Sequence, residues 1–160
     1  MSVLLIQGAN MEYLGKRQPE LYGTTTAAEL HEILHRAASL RGFTLDIRTT
    51  NQEGEAIDWI YDADRLGRRG LIMNPAGFLY AGYALRDCLK AVSLPYVEVH
   101  MTNLEHRGLR SVTAEQAHGM ITGLGVGSYL LALDAMVQLT EPGTGQPPLP
   151  SSDGTAAPTY

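Results

Sequence analysis

A chain of 160 residues is long enough to bury the core of one domain. Its net charge of −5 argues against a nucleic-acid binder, because neutralising phosphates requires clustered lysines and arginines. With one cysteine and no apolar run near the roughly 20 residues that cross a bilayer, we expect a soluble, cytoplasmic protein without membrane partners that acts on a small molecule.

Short apolar runs alternate with longer segments of helical period along the chain. The predicted strands are 3–6, 43–48, 70–73, 96–99 and 120–124, and the predicted helices are 26–40, 55–66, 78–92 and 128–139, with a further short helix near Ala114. The first long helix has a clear start, since Thr26 and Glu29 have the spacing of a capping box. Apolar strands separated by crossover helices predict a parallel sheet covered on both faces.

The last part of the chain has a different composition. After Glu141 it is rich in proline, glycine, serine and threonine and offers few apolar side chains to bury. We therefore predict one α/β domain over residues 1–140 and a disordered tail over residues 141–160.

Polar residues follow several of the predicted strands, at the edge where an open parallel sheet binds its ligands. Asn74 ends the third strand, and Glu98 and His100 end the fourth. Residues two apart on a strand face the same side, so the carboxylate of Glu98 would fix the tautomer of His100. This pairing predicts a general acid, although a buried histidine satisfied by a glutamate would show the same pattern.

The polar segment from Gly15 to Gly23 follows the first strand and carries an arginine and a tyrosine. A guanidinium near a phenol favours the phenolate, which is a stronger base. Glycines at both ends would let the segment close over a substrate as a lid carrying Arg17 and Tyr22. An ordinary exposed loop is the alternative that this segment alone leaves open.

Two other motifs are weaker signals. His31, Glu32 and His35 match the HExxH pattern of zinc peptidases, but the histidines flank the apolar stripe of a surface helix and no third ligand follows nearby. We therefore favour two solvated histidines over a metal site. The glycine-rich turn 123–127 resembles a dinucleotide loop with the wrong spacing, and close packing of helix on strand explains it better.

Taken together, the motifs resemble the type II 3-dehydroquinate dehydratases over about residues 3 to 139. The stretches that carry the resemblance are QGANMEYLGKRQPELYG, TNQEGEAIDWI, IMNPAGF, YALRD, VEVHMTN and GLGVGSYLLAL. The resemblance implies a flavodoxin-like domain with a five-stranded parallel sheet, assembled from trimers into a homo-oligomeric dodecamer. It also implies a lyase of the shikimate pathway of aromatic amino acid biosynthesis that needs no cofactor or metal.

Catalytic roles follow from the same resemblance. Tyr22 would remove a proton from C2 of 3-dehydroquinate, and Arg17 would keep it ionised. Asn10 would help hold a water that stabilises the enolate. His100, oriented by Glu98, would protonate the departing C1 hydroxyl to give 3-dehydroshikimate.

The resemblance also implies a set of substrate contacts. Asn74 and the groups around Met101 and Thr102 would hold the carboxylate, Asp87 would reach a neighbouring subunit's site, and Arg110 would contact a ring hydroxyl.

Two of the chain's departures from the family concern the groups that would recognise the substrate. Tyr80 stands where the family has a histidine, and a shortened segment leaves the placement of Arg107 and Arg110 ambiguous. These departures keep two alternatives open: a paralogue that dehydrates a related cyclic β-hydroxy ketone, and a catalytically silent oligomeric binding protein.

Overall fold

Five parallel strands form a single sheet in the structure, which is a computed structural model that describes residues 1–141. The strands are β1 (Ser2–Ala9), β2 (Thr44–Thr49), β3 (Leu71–Ala76), β4 (Tyr96–His100) and β5 (Gly119–Thr122). Their order is β2-β1-β3-β4-β5, and every pairing is parallel. This order is that of the flavodoxin-like fold, so the predicted fold class is confirmed.

Helices cover both faces of the sheet. They are α1 (Pro19–Tyr22), α2 (Ala27–Leu40), α3 (Glu53–Arg65), α4 (Tyr83–Ala91) and α5 (Val126–Thr140), with short 3₁₀ turns at Met11–Tyr13, Gly77–Tyr80 and Ala114–Gln116. Helices α2 and α5 pack on one face through buried side chains such as Leu34 and Leu133, next to Leu5 of β1. Helices α3 and α4 pack on the other face around Leu4 and Ile60. Adjacent residues of β1 therefore belong to opposite cores, as the alternation of a strand requires.

The structure differs from the predicted elements at two places. The predicted helix 78–92 is divided into a 3₁₀ turn and α4, because the backbone N–H of Gly82 donates back to the carbonyl of Phe78 at 2.8 Å and closes the turn. The segment 15–23, predicted as a polar loop, contains the single helical turn α1, in which proline occupies the first position. The predicted tail lies outside the described residues, except for Glu141.

The close approach of β1 and β3 at their carboxyl ends depends on Gly8. A Cβ at this position would lie 2.1 Å from the carbonyl oxygen of Pro75, which no side chain tolerates. The pairing of Ala9 with Ala76 continues this contact to the ends of both strands. Glycine at position 8 therefore brings Asn10 and Gly77, which follow the two strands, next to each other.

None of the helices within residues 1–141 combines the length and the apolar character that crossing a membrane requires.

Ala76 has a backbone conformation that favours glycine. Its φ of 47° and ψ of −118° lie outside the regions that residues with a Cβ normally occupy. Its N–H donates to the side-chain Oδ1 of Asn74 at 3.0 Å, which holds the turn in this conformation. Strain of order 1–3 kcal/mol is typical of such a residue.

We predict that Ala76→Gly raises the free energy of unfolding by about 1 kcal/mol, because relief of the strain outweighs the extra freedom of glycine in the unfolded chain. Urea denaturation followed by circular dichroism measures this change. Ala9→Gly is the matched control, since Ala9 pairs with Ala76 but has no positive φ, and it should destabilise the protein. Destabilisation of equal size by both substitutions would contradict the strain at Ala76.

Candidate active site

A cleft opens at the carboxyl edge of the sheet, where β3 and β4 end and the segment 15–23 folds over them. Helix α1 and the turns that follow β1, β3 and β4 contribute its walls. The side chains that line it are Met11, Arg17, Tyr22, Asn74, Ala76, Gly77, Leu79, Tyr80, His100, Met101, Thr102 and Arg107. The structure thus brings seven of the predicted site residues to one cavity: Arg17, Tyr22, Asn74, Tyr80, His100, Met101 and Thr102.

Two arginines flank the ring of Tyr22, which is half-buried at the end of α1 and packs against the core. The guanidinium carbon of Arg17 lies 5.5 Å from the ring centroid and that of Arg107 lies 6.0 Å from it. Arg107 Nη1 also lies 3.4 Å from the Tyr22 hydroxyl and donates to Thr102 Oγ1 at 2.9 Å. Two cations therefore supply the positive charge that a phenolate at this position needs.

Gly15 fixes the start of the segment that carries Tyr22. Its φ is +86°, and a Cβ would lie 3.0 Å from both the carbonyl oxygen of Thr24 and the Cα of Thr26. The segment is therefore packed closely against the beginning of α2 at this end. At the other end, a Cβ added to Gly23 would meet no atom within 4 Å.

Three polar side chains form a line on one face of β4. Glu98 Oε1 lies 2.7 Å from His100 Nε2, and the Tyr96 hydroxyl donates to Glu98 Oε2 at 2.5 Å. Thr113 Oγ1 donates to the same Oε2 at 2.7 Å. Glu98 is completely buried and His100 is 4% exposed.

The carboxyl of Glu98 is held in its charged form despite this burial. Burial alone would raise the pKa of Glu98, but hydrogen bonds to the carboxylate, with His100 and Tyr96 among the partners, outweigh it and hold the pKa below its ordinary value. A buried carboxylate beside an imidazole orients the ring, and it stabilises the imidazolium that a general acid requires. The predicted pairing of Glu98 with His100 is thus present in the structure.

The side-chain amide of Asn74 is fixed by a chain of buried hydrogen bonds. Its Oδ1 accepts from the Ala76 N–H, so its Nδ2 must be the atom that donates to the Tyr129 hydroxyl at 2.8 Å. Tyr129 in turn donates to Gln7 Oε1 at 2.6 Å, and burial raises the pKa of Tyr129, which keeps it protonated. Gln7 Nε2 is buried without a hydrogen-bond partner in the part of the chain that is described. Because a backbone N–H can only donate, this chain has one direction and sets the orientation of Asn74.

Three predicted site residues take other positions. Asn10 is exposed at the rim, where its N–H donates to Asn51 Oδ1 at 2.7 Å and its own side chain lies beside Gly77. The side chain of Asp87 is 73% exposed on α4 and lies 3.6 Å from Arg86.

Arg110 differs most from the prediction, since its side chain is 86% exposed and it lines a separate groove with Leu109 and Met120. Arg107 occupies the cleft of this chain instead. The shortened segment gave no signal that could distinguish the two arginines.

Sequence reasoning also missed Tyr96, Thr113 and Tyr129. The spacing of YVEVH does contain the signal for Tyr96, because residues 96, 98 and 100 share one face of a strand. Thr113 and Tyr129 come from distant segments, and no local pattern connects them to Glu98 or Asn74.

The structure shows what surrounds the two weaker motifs, the histidines of α2 and the glycine-rich turn 123–127. His31 is half-buried and His35 exposed on α2, and burial together with His35 lowers the pKa of His31. Within residues 1–141 no three potential metal ligands form a group. In the glycine-rich turn, the N–H of Gly123 donates to the carbonyl of His100 at 3.2 Å and that of Gly125 donates to Met101 at 2.9 Å. The turn therefore holds the end of β4 against the start of α5.

Fold and cleft together define a flavodoxin-like domain whose cleft holds a phenol between two guanidinium groups and an imidazole paired with a buried carboxylate, without a group of metal ligands in the described residues. The model of the family Dehydroquinase class II matches residues 1–137. The chain therefore belongs to the type II dehydroquinase family, and it is a hydro-lyase.

Named relatives and solved structures agree with this assignment. A 3-dehydroquinate dehydratase of Halalkalibacterium halodurans is 43% identical over 141 residues, which cover 86% of this chain and 96% of the relative. The crystal structure of a type II dehydroquinase from Propionibacterium acnes has a TM-score of 0.81 at 32% identity and covers 85% of this chain and 95% of its own. A 3-dehydroquinate dehydratase-like protein from Bifidobacterium longum has a TM-score of 0.66 at 29% identity, over 87% of this chain and 97% of its own.

We predict that Tyr129→Phe lowers the free energy of unfolding by about 1–3 kcal/mol, because both Asn74 Nδ2 and Gln7 Oε1 lose a buried partner. Urea denaturation measures the loss. Tyr13→Phe is the matched control, because the side chain of Tyr13 is 64% exposed, and it should change stability by less than about 0.5 kcal/mol. Equal stability of the Tyr129→Phe protein and the unsubstituted protein would contradict the buried chain.

Proposed function

We propose that this enzyme dehydrates 3-dehydroquinate to 3-dehydroshikimate through an enolate, with Tyr22 as the base and His100 as the acid. The observation that carries the proposal is that a phenol flanked by two guanidinium groups and an imidazole paired with a buried carboxylate line the same cleft. The choice of substrate rests on the relatives, which are named 3-dehydroquinate dehydratase.

The first step removes a proton from C2 of the substrate, next to the C3 ketone. The Tyr22 phenolate takes this proton, and the electrons of the C–H bond move into the ketone to form an enolate. Arg17 and Arg107 favour the phenolate before the transfer, since both lie within about 6 Å of the ring. Asn10, at the rim of the cleft, would help hold a water against the enolate oxygen.

The second step expels the C1 hydroxyl. The enolate electrons return to form the double bond between C1 and C2, and the C1–O bond breaks as His100 gives its proton to the leaving oxygen, which departs as water. Glu98 remains ionised and holds Nε2 of His100, so Nδ1 is the nitrogen that is free to serve the substrate. Proton transfer from Tyr22 to His100 would complete the cycle.

Asn74 and the groups around Met101 and Thr102 are proposed to bind the substrate carboxylate. All three line the cleft, and the buried hydrogen bonds of Asn74 fix which atom of its amide donates. Tyr80 also lines the cleft, with 59% of its surface exposed. A second candidate function is the dehydration of a related cyclic β-hydroxy ketone. It is favoured by Tyr80, which places a phenol where the family has a histidine, because specificity for ring hydroxyls depends on matched hydrogen-bonding groups.

The assembly of trimers into a dodecamer is also part of the proposal. The exposed side chain of Asp87 on α4 is available to a neighbouring copy of the chain. Arg110 is exposed as well and lines a surface groove.

We predict that Tyr22→Phe lowers kcat by about 10²–10⁴-fold, since it removes the base, and that Arg17→Ala lowers it by at least about tenfold. The measurement is the rise in ultraviolet absorbance of the conjugated enone product. The Tyr13→Phe control, in the exposed 3₁₀ turn that precedes α1, should keep normal turnover. Near-normal rates in Tyr22→Phe would contradict the base, and no absorbance change from the unsubstituted enzyme at high concentration would reject this substrate.

Arg107 and Arg110, between which the sequence could not decide, provide a matched pair of variants. Arg107→Gln should lower kcat/KM by about 10–100-fold, because Arg107 contacts Tyr22 and Thr102, and the loss of a hydrogen bond to a charged group is worth about 1.5–3 kcal/mol. Arg110→Gln should have a much smaller effect. The reverse order would assign the cleft arginine to position 110, through a different arrangement of the segment or through a neighbouring subunit.

A further inference from the structure

The hydroxyl of Tyr96 lies at the inner end of the line of side chains on β4, and the steps proposed above do not use it. Tyr96 is 2% exposed, and its oxygen is 2.5 Å from Glu98 Oε2. Burial, together with the neighbouring charge of Glu98, raises the pKa of Tyr96 well above its ordinary value. The phenol therefore keeps its proton and acts as a permanent donor to the carboxylate.

Thr113 reaches the same oxygen from a different part of the chain. Its Oγ1 is 2.7 Å from Glu98 Oε2 and 3.0 Å from Ser111 Oγ, and Thr113 is completely buried. With two donors on Oε2, the other oxygen, Oε1, faces His100 Nε2 at 2.7 Å. The two hydroxyls thus decide which oxygen of Glu98 the imidazole meets.

We propose that Tyr96 and Thr113 are positioning residues that keep Glu98 ionised and directed at Nε2 of His100, and so leave Nδ1 to face the cleft. The inference rests on the proposed function, because it concerns how the acid of that site is held. Hydrogen bonds to a carboxylate favour its charged form, and a completely buried carboxylate has no water to replace a lost donor. Removing either hydroxyl makes Glu98 easier to protonate, and protonation ends its support of an imidazolium at His100.

The surroundings leave few other groups that could control this carboxylate. Within residues 1–141, the imidazole of His100 is the basic group that Glu98 contacts, and the two form an ion pair when the ring is protonated. The remaining charged or titratable groups nearby are Arg17, Tyr22 and Arg107 across the cleft, His118 against the Tyr96 backbone, and Glu115, which pairs with arginines at the surface.

The test measures the protonation of Glu98 directly and in turnover. Infrared spectra recorded against pH follow the C=O stretch of the protonated carboxyl, assigned by its absence in Glu98→Gln. In Tyr96→Phe and in Thr113→Val the midpoint should move up by roughly one to two pH units. Because the folded protein loses the active carboxylate as pH falls through this midpoint, the acidic limb of the kcat profile should move to higher pH by the same amount.

Two controls separate the hydrogen bonds from general damage to the fold. Thr113→Ser keeps a donor on Glu98 and should titrate like the unsubstituted enzyme, whereas Thr113→Val should not. Tyr129→Phe removes another completely buried tyrosine hydroxyl, which bonds Gln7 and Asn74, and should leave the Glu98 midpoint unchanged.

Each outcome decides a separate question. An unshifted midpoint in Tyr96→Phe, or equal behaviour of Thr113→Ser and Thr113→Val, would overturn the inference. Because the infrared titration needs no substrate, it supports or overturns the role of Tyr96 even if 3-dehydroquinate proves not to be turned over. Failure of turnover alone would reject the proposed substrate.

Discussion

A carboxylate without any contact with water determines how the candidate site is built. Burying an unpaired charge of this kind costs several kcal/mol, so the chain must surround it with donors. Glu98 receives them from His100 and Tyr96 on its own strand and from Thr113, which lies within the shortened segment after β4. The chain around residue 113 is therefore held in place by the charge of Glu98, although neither Thr113 nor Glu98 lines the cleft.

The cleft also joins the two cores of the domain. Tyr22 and Met101 pack with the core under α2 and α5, whereas His100 lies on the face of β4 that carries Tyr96, a residue of the core under α3 and α4. Because the carboxyl edge of a parallel sheet is shared by both layers, Tyr22 and His100 can come from different layers and still line one cleft. Gly8 makes this edge compact by letting β1 and β3 approach closely.

Much of the fold and the centre of the site could be predicted from the sequence. Period and capping signals located the strands and long helices, and the two-residue spacing in YVEVH located the pair of Glu98 and His100. The break at Gly82 was missed, because a backbone hydrogen bond, and not an apolar period, ends the 3₁₀ turn there. The sequence could not decide between Arg107 and Arg110, and Tyr129 was missed, since the partners of Arg107 and Tyr129 lie 85 and 55 residues away and no short pattern encodes such contacts.

The glycine-rich turn before α5 has a consequence for how the enzyme can move. Through Gly123 and Gly125 it joins the end of β4 to a 15-residue helix, so the imidazole sits on a rigid frame. The phenol of Tyr22 instead lies at the end of α1, a single helical turn of four residues. The segment 15–23 that contains this turn packs closely at Gly15, whereas a Cβ added to Gly23 would meet no atom within 4 Å. In the proposed mechanism, adaptation to a bound ring would therefore fall to Tyr22, while His100 would keep its place.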